Sequence, residues 1–147
     1  MEDIVVRRID INDAIYQQVY DLREAILRQP IGLSLKNEDL SADALNTIFI
    51  AEHQGKVIGC VMLYPIADDE KIKLRQMAVY EEWQGKGIGK KLVDAAEQYA
   101  KEIGYSSIIL HARTLAEGFY KNLGYYTTSS EFTEVGIPHI VMEKDIF

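Results

Sequence analysis

The order of apolar and polar positions divides the chain into a strand-rich first half and a second half in which strands and helices alternate. Residues 4–9, Ile-Val-Val-Arg-Arg-Ile, are dominated by β-branched side chains and predict a first strand. Ile15, Val19, Leu22 and Ile26 then recur at helical spacing, with Asn12 or Asp13 as the N-cap and Pro30 as the stop. The acidic stretch 34–45 predicts a short second helix or a mobile flap. Residues 47–52 read as a strand, and Gln54-Gly55-Lys56 reads as a hairpin turn into another strand over 57–64. The polar turn Asp68-Asp69-Glu70 leads into a further strand over 71–80.

The period changes at Gly85. From Ile88 the apolar positions Leu92, Val93, Ala96, Tyr99, Ala100 and Ile103 lie at helical spacing, and Gly104 stands where a helix-ending glycine belongs. A strand over 107–112 follows, then a short helix over 115–123 closed by Gly124, then strands around 125–132 and 139–146. A meander followed by strand–helix–strand–helix–strand predicts an α/β fold with a mixed sheet. Pro30, Pro65 and Pro138 fall between periodic segments and mark no linker, so residues 1–147 read as a single domain.

Composition narrows the functional classes. Hydrophobic residues at 48% supply a core, which excludes a disordered tail. The net charge of −7 argues against nucleic acid or anionic membrane as partners, and on its own favours a cationic or polyamine-like ligand over an acidic one. No apolar run approaches the roughly 18 residues of a spanning helix. The opening MEDIVVRRID lacks a signal-peptide core, so a cytoplasmic location is expected. Cys60 is the single cysteine, which leaves no intrachain disulfide and no cysteine-based zinc site. Between Gly59 and Val61 in an apolar run, it reads as buried and inert. His and carboxylate positions show no metal-site spacing, so no metal is expected.

The informative segment runs from Leu74 to Leu92, where a strand enters a loop holding Gly85, Gly87 and Gly89, and the loop opens the long amphipathic helix. Glycine allows sharp turns and close approach, and the free N–H groups of a helix start point at an anion. Lys86, Lys90 and Lys91 add positive charge in an acidic chain. Two familiar phosphate loops do not fit. A Walker loop ending at Gly89-Lys90 would need glycine at Gln84 and a hydroxyl at Lys91. A dinucleotide fingerprint starting at Gly85 would need glycine at Lys90.

Gln84, Gly87 and Gly89 instead match the Gln/Arg-x-x-Gly-x-Gly/Ala loop of the GNAT superfamily of acetyl-CoA-dependent N-acetyltransferases, and Met77-Ala78-Val79 resembles the end of that family's fourth strand. Downstream, residues 116–125 (Ala-Glu-Gly-Phe-Tyr-Lys-Asn-Leu-Gly-Tyr) resemble the family's second signature. The resemblance covers essentially the whole chain, and its Gly-Ile-Pro-His string (136–139) is similar to a small bacterial, single-domain subgroup. It implies a central sheet of about six to seven strands with about four helices, splayed between strands 4 and 5.

The resemblance also assigns roles. The backbone of Met77, Ala78 and Val79 would hold the pantetheine arm and polarise the thioester, and Gln84, Gly85, Lys86, Gly87, Ile88, Gly89 and Lys90 would wrap the pyrophosphate. Tyr120 matches the tyrosine that in many members sits near the CoA sulfur, as general acid. Arg113 stands where many members carry asparagine, and is free to face an acidic substrate group instead. Glu134 and His139 lie where the family often shapes its acceptor pocket, His139 with the chemistry of a base. The reaction expected is direct transfer from acetyl-CoA to a small-molecule primary amine, without metal. A protein N-terminus or lysine as acceptor and a non-catalytic acyl-CoA sensor are the alternatives. Family members commonly pair, so a homodimer is one assembly the resemblance allows.

Overall fold

Alternating burial along short β-rich segments builds one sheet, which the computed structural model describes over residues 3–147. Its strands are β1 (Ile4–Ile9), β2 (Thr47–His53), β3 (Lys56–Pro65), β4 (Lys71–Val79), β5 (Ser107–Arg113), β6 (Tyr126–Thr127), β7 (Phe132–Glu134) and β8 (Ile137–Asp145). They lie in the order β1-β2-β3-β4-β5-β8-β6, with β7 also paired to β8. Every pairing is antiparallel except β4 with β5, which is parallel. The eighth strand arises because the predicted strand 125–132 divides. At the break the Ser129 hydroxyl accepts from the Val141 amide at 2.8 Å, so a side chain replaces a backbone ladder partner.

Helix α2 (Ile88–Glu102) covers one face of the sheet. Its buried side chains Ile88, Leu92, Val93, Ala96 and Ala100 meet Ile58, Leu63, Leu74, Ile108 and Leu110 in the larger core. Each buried Ile, Leu or Val among them contributes about 1.5–3 kcal/mol by leaving water. Its end follows the sequence reading, with Gly104 at φ 102 and the Tyr105 amide reaching back to the Ala100 carbonyl at 3.0 Å. Helix α3 (Glu117–Asn122) follows a single 3-10 turn. The opposite face carries α1 (Tyr16–Arg23), whose Val19 and Leu22 bury against Ile48, Ile50, Cys60, Met62 and Ala78.

Neither expected side-chain cap serves α1. The helix begins one turn later, with Ile15 in the N-cap position and no capping side chain. Asp13 spends its carboxylate on the Ile15 amide, just outside the helix. At its other end α1 continues as a π-helical turn, Glu24–Arg28, and a 3-10 turn, Gln29–Ile31.

The segment 34–45 forms two 3-10 turns, Leu35–Asn37 and Ser41–Leu45, tied down at several points. Glu24 accepts from the Leu35 amide and the Ser34 hydroxyl, both at 2.7 Å. Asp43 forms a buried ion pair with Arg23 at 2.8 Å. The Tyr16 hydroxyl also donates to Asp43, and burial together with that neighbouring carboxylate pushes its pKa up to about 12.

The Arg23–Asp43 pair should carry more stability than any exposed pair, because removing one member strands the other in the interior. Arg23→Met is expected to lower unfolding free energy by about 3–5 kcal/mol in urea denaturation with an unchanged slope. A loss below about 1 kcal/mol, the range of an exposed pair, would contradict this account of the pair.

Candidate active site

The site begins with a phase slip in β4. Ile72 and Leu74 bury toward α2, and strict alternation would send Gln76 and Ala78 the same way. Instead Met77 and Val79 pack against the α2-side core, while Ala78 belongs to the core under α1. The slip is a β-bulge: opposite β3, Met62 pairs with Arg75 and Cys60 with Ala78, leaving one extra residue on β4. Gln76 takes the strain, with φ 57, a left-handed value unusual for a residue with a Cβ. Its side-chain oxygen accepts from Arg23 Nε at 3.1 Å and from Arg28 Nη2 at 3.3 Å, and Cys60 Sγ donates to its carbonyl at 3.4 Å.

Beyond the bulge β4 and β5 part. Their parallel ladder holds four pairs, from Lys71↔Ser107 to Leu74↔Leu110, and ends there. β4 runs on to Val79 along β3, and β5 runs on to Arg113 along β8. A cleft opens between them, and the two sides of the sheet give it different walls.

On the α2 side, Gly59 permits the approach: a Cβ there would lie 3.1 Å from both Ile88 and Leu92, so the first turns of α2 sit directly on β3 beside Val79. Gly85 and Gly87 have φ of 76 and 81, and a Cβ on either would meet nothing within 4 Å, so their backbone conformation requires glycine while the space beside them stays open. The first closing bond of α2 runs from the Lys91 amide to the Gly87 carbonyl, so the N–H groups of Ile88, Gly89 and Lys90 lack a helical partner. Gln84 folds back, its Nε2 donating to the Val79 carbonyl at 2.9 Å, which fastens the loop to the end of β4. Lys86 lies over the Trp83 ring, and Trp83 in turn packs on His53. Phe119 of α3 closes on the helix start, since a Cβ on Gly89 would meet its ring at 2.9 Å. An open glycine turn at a helix start fits a phosphorylated ligand.

On the α1 side the wall is polar and cationic. Lys73 and Arg75 project from β4, where Arg75 lies 5.2 Å from the Tyr64 ring centroid. Arg113, at the end of β5, reaches the Leu27 carbonyl at 3.5 Å, and Arg28 touches the same oxygen at 3.5 Å. Arg28 also pairs with Glu38. Next to these, Glu134 of β7 lies between two histidines, 3.0 Å from His111 Nδ1 and 3.7 Å from His139 Nε2. Burial raises the Glu134 pKa, but His111, His139 and Lys73 outweigh it and hold the carboxyl below its ordinary value. His139 is buried, with Nδ1 2.8 Å from the Ile137 carbonyl, an oxygen that only accepts, so Nδ1 carries a proton and Nε2 is turned toward Glu134. The Phe132 ring stacks over His139 and meets His111 edge-on.

Tyr120 is buried with Ile88, Ala112 and Tyr125 in the larger core. Burial raises its phenol well above the ordinary tyrosine range, and its hydroxyl makes no hydrogen bond among the described residues. Cys60 is fully buried and its thiol is pushed up to about 12 by loss of water, which agrees with the sequence reading of an inert residue. Thus the loop 84–90 and Met77–Val79 meet at one end of the cleft, and Arg113, Glu134 and His139 gather on the α1 side. Sequence reading passed over Lys73, Arg75, Gln76 and the pairing of His111 with Glu134. The bulge had a signal, the shift of apolar positions from Ile72 and Leu74 to Met77 and Val79, whereas the cross-strand pairing had none. Among the described residues no group of His, Cys, Asp and Glu has the arrangement of a metal site, and no helix is long and apolar enough to cross a membrane.

Comparison with known proteins agrees with this geometry. The sequence pattern of the acetyltransferase (GNAT) domain matches residues 21–146. A Bacillus subtilis (strain 168) protein that bears an acetyltransferase name is 34% identical over 128 residues, covering 85% of this chain and 86% of its own length. A Chlorobaculum tepidum protein named as an uncharacterized N-acetyltransferase is 30% identical over 132 residues, covering 88% and 80%. Among solved structures, a GNAT family acetyltransferase from Elizabethkingia anophelis with acetyl-CoA bound superposes with a TM-score of 0.73 at 21% identity, covering 99% of both chains, a likeness of fold. The chain with this bulged fourth strand, parted β4–β5 ladder and glycine-started helix therefore belongs to the GNAT acetyltransferase family.

Proposed function

We propose that residues 1–147 act as one catalytic domain that moves the acetyl group of acetyl-CoA directly to a primary amine of a small molecule. The observation that carries this reading is the end of the β4–β5 ladder after four pairs, which leaves a cleft open to the glycine loop on one side and to a polar wall on the other. In this reading the backbone of Met77, Ala78 and Val79 holds the pantetheine arm and polarises the thioester carbonyl. Gln84, Gly85, Lys86, Gly87, Ile88, Gly89 and Lys90 hold the pyrophosphate through backbone N–H groups and the positive end of α2. A ternary complex needs no covalent enzyme intermediate. The amine nitrogen attacks the carbonyl carbon, the C–S bond breaks as the tetrahedral oxyanion collapses, and the nitrogen gives up its extra proton.

Two protons then need a source and a destination. Tyr120 supplies one to the departing sulfur: burial keeps its phenol protonated, and its hydroxyl has no partner among the described residues, so the donor remains unspent. The other goes to the cluster of His139 and Glu134, where the Nδ1 contact to Ile137 turns His139 Nε2 toward the Glu134 carboxylate. Arg113 and Glu134 border the acceptor.

Acetyl-CoA titrated calorimetrically should bind the native protein, and Gly87→Glu should abolish binding, because it forces a left-handed residue and sets a carboxylate at the helix start. Equal binding by both would remove the loop from the reading, and no binding by the native protein would remove acetyl-CoA. Tyr120→Phe should lower kcat by about a hundredfold, the usual worth of a general acid, with acetyl-CoA affinity and thermal midpoint nearly unchanged. An unaltered kcat would end that assignment. In His139→Ala the acidic limb of the kcat/KM profile should disappear, and a limb that persists would show that another group takes the proton.

A further inference from the structure

Positive charge on the α1 side of the cleft exceeds what the chain neutralises there. Of the five cationic side chains on this wall, Arg23 is paired with Asp43 and Arg28 with Glu38. Lys73, Arg75 and Arg113 have no carboxylate within ion-pair distance among the described residues. The three border one opening: Lys73 and Arg75 are alternate residues of β4, Lys73 senses the charge of Arg75, Arg75 senses Arg23 and Arg28, and Arg28 meets Arg113 at the Leu27 carbonyl. Loss of water lowers the pKa of both Lys73 and Arg75, and the carboxylates they sense without pairing, Glu134 for Lys73 and Asp43 for Arg75, do not outweigh it. All of this occurs in a chain of net charge −7. A polyamine, the ligand that net charge alone favours, would meet this wall as a like charge. Guanidinium groups half removed from water are suited to grip carboxylate or phosphate oxygens through paired N–H donors.

We propose that the acceptor is an amine bearing an oxyanion, carboxylate or phosphate, and that Arg75 and Arg113 with Lys73 hold that oxyanion while the amine faces the thioester. The inference rests on the acetyltransferase reading and names its substrate class. The β-bulge gives Arg75 its place, since it is the last residue of β4 before Gln76, at the point where the cleft opens.

The test uses the intact protein with acetyl-CoA and four amines: 4-aminobutyrate, phosphoethanolamine, butylamine and putrescine. Turnover is followed by thiol release, and binding is followed calorimetrically on the CoA complex. At least one oxyanion-bearing amine should exceed butylamine and putrescine in kcat/KM by about tenfold or more, the scale of a charge-assisted contact. Comparing 4-aminobutyrate with phosphoethanolamine tells carboxylate from phosphate. Arg75→Gln and Arg113→Gln should each erase the preference with acetyl-CoA binding unchanged within about twofold, and Arg75→Lys should keep part of it. Arg113→Gln retains a donor for the Leu27 carbonyl and guards against a folding defect in the other variant. Preference for butylamine or putrescine, equal losses for both classes, or lost acetyl-CoA binding in Arg75→Gln would overturn the inference. So would binding or turnover of neither class while acetyl-CoA still binds, an outcome that leaves the acetyltransferase reading standing. Failure of the native protein to bind acetyl-CoA would instead remove that reading, and this inference with it.

Discussion

Gln76 sits in a left-handed backbone conformation with its side-chain oxygen between two guanidinium groups, and the two halves of β4 diverge from that point. Before it the strand shares a ladder with β5; after it the strand follows β3 alone. A non-glycine residue at such a φ costs about 1–3 kcal/mol and persists only where its surroundings impose it. Here they do. Arg23 and Arg28 come from α1 and the π-helical turn that extends it, and Arg23 is itself fixed by buried Asp43. Residues 34–45 thus act on the cleft by holding Asp43 and Glu38 against Arg23 and Arg28.

The glycine positions divide their work around the same cleft. Gly59 lets α2 come close to the sheet, which sets the helix start beside the end of β4. Gly85 and Gly87 let the backbone turn into that start, and Gln84 ties the turn to the Val79 carbonyl. Helix position and loop shape therefore both depend on where β4 ends. That end is displaced by the bulge, so the glycine-loop wall and the cationic wall are set by one local distortion.

Much of this was legible in the sequence. The helical stripe from Ile88 to Ile103 and the closing Gly104 gave α2 with its end, and Gln84, Gly87 and Gly89 gave the loop. The N-cap of α1 was misread because Asp13 has the right chemistry but spends it on Ile15, one residue too early. The division of residues 125–132 was hidden because Ser129 completes the ladder with its side chain, which no apolar pattern records. Arg113 was legible as a residue for an acidic substrate group, but its grouping with Lys73 and Arg75 was not, for a different reason. Arg28, the β4 pair Lys73 and Arg75, and Arg113 come from three separate stretches of the chain, and net charge averages over a surface while a cleft responds to the few groups that line it.

Amide hydrogen exchange across the sheet, with and without acetyl-CoA, tests the central claim most directly, because it reads the parted strands residue by residue. With the ligand, amides of Met77–Val79 and of residues 85–90 should slow by about tenfold or more, and those of Lys71–Leu74 and Ser107–Leu110, already paired, should barely change. Protection spread evenly over the sheet, or confined to residues away from the cleft, would contradict the account that the bulge at Gln76 opens the place where acetyl-CoA binds.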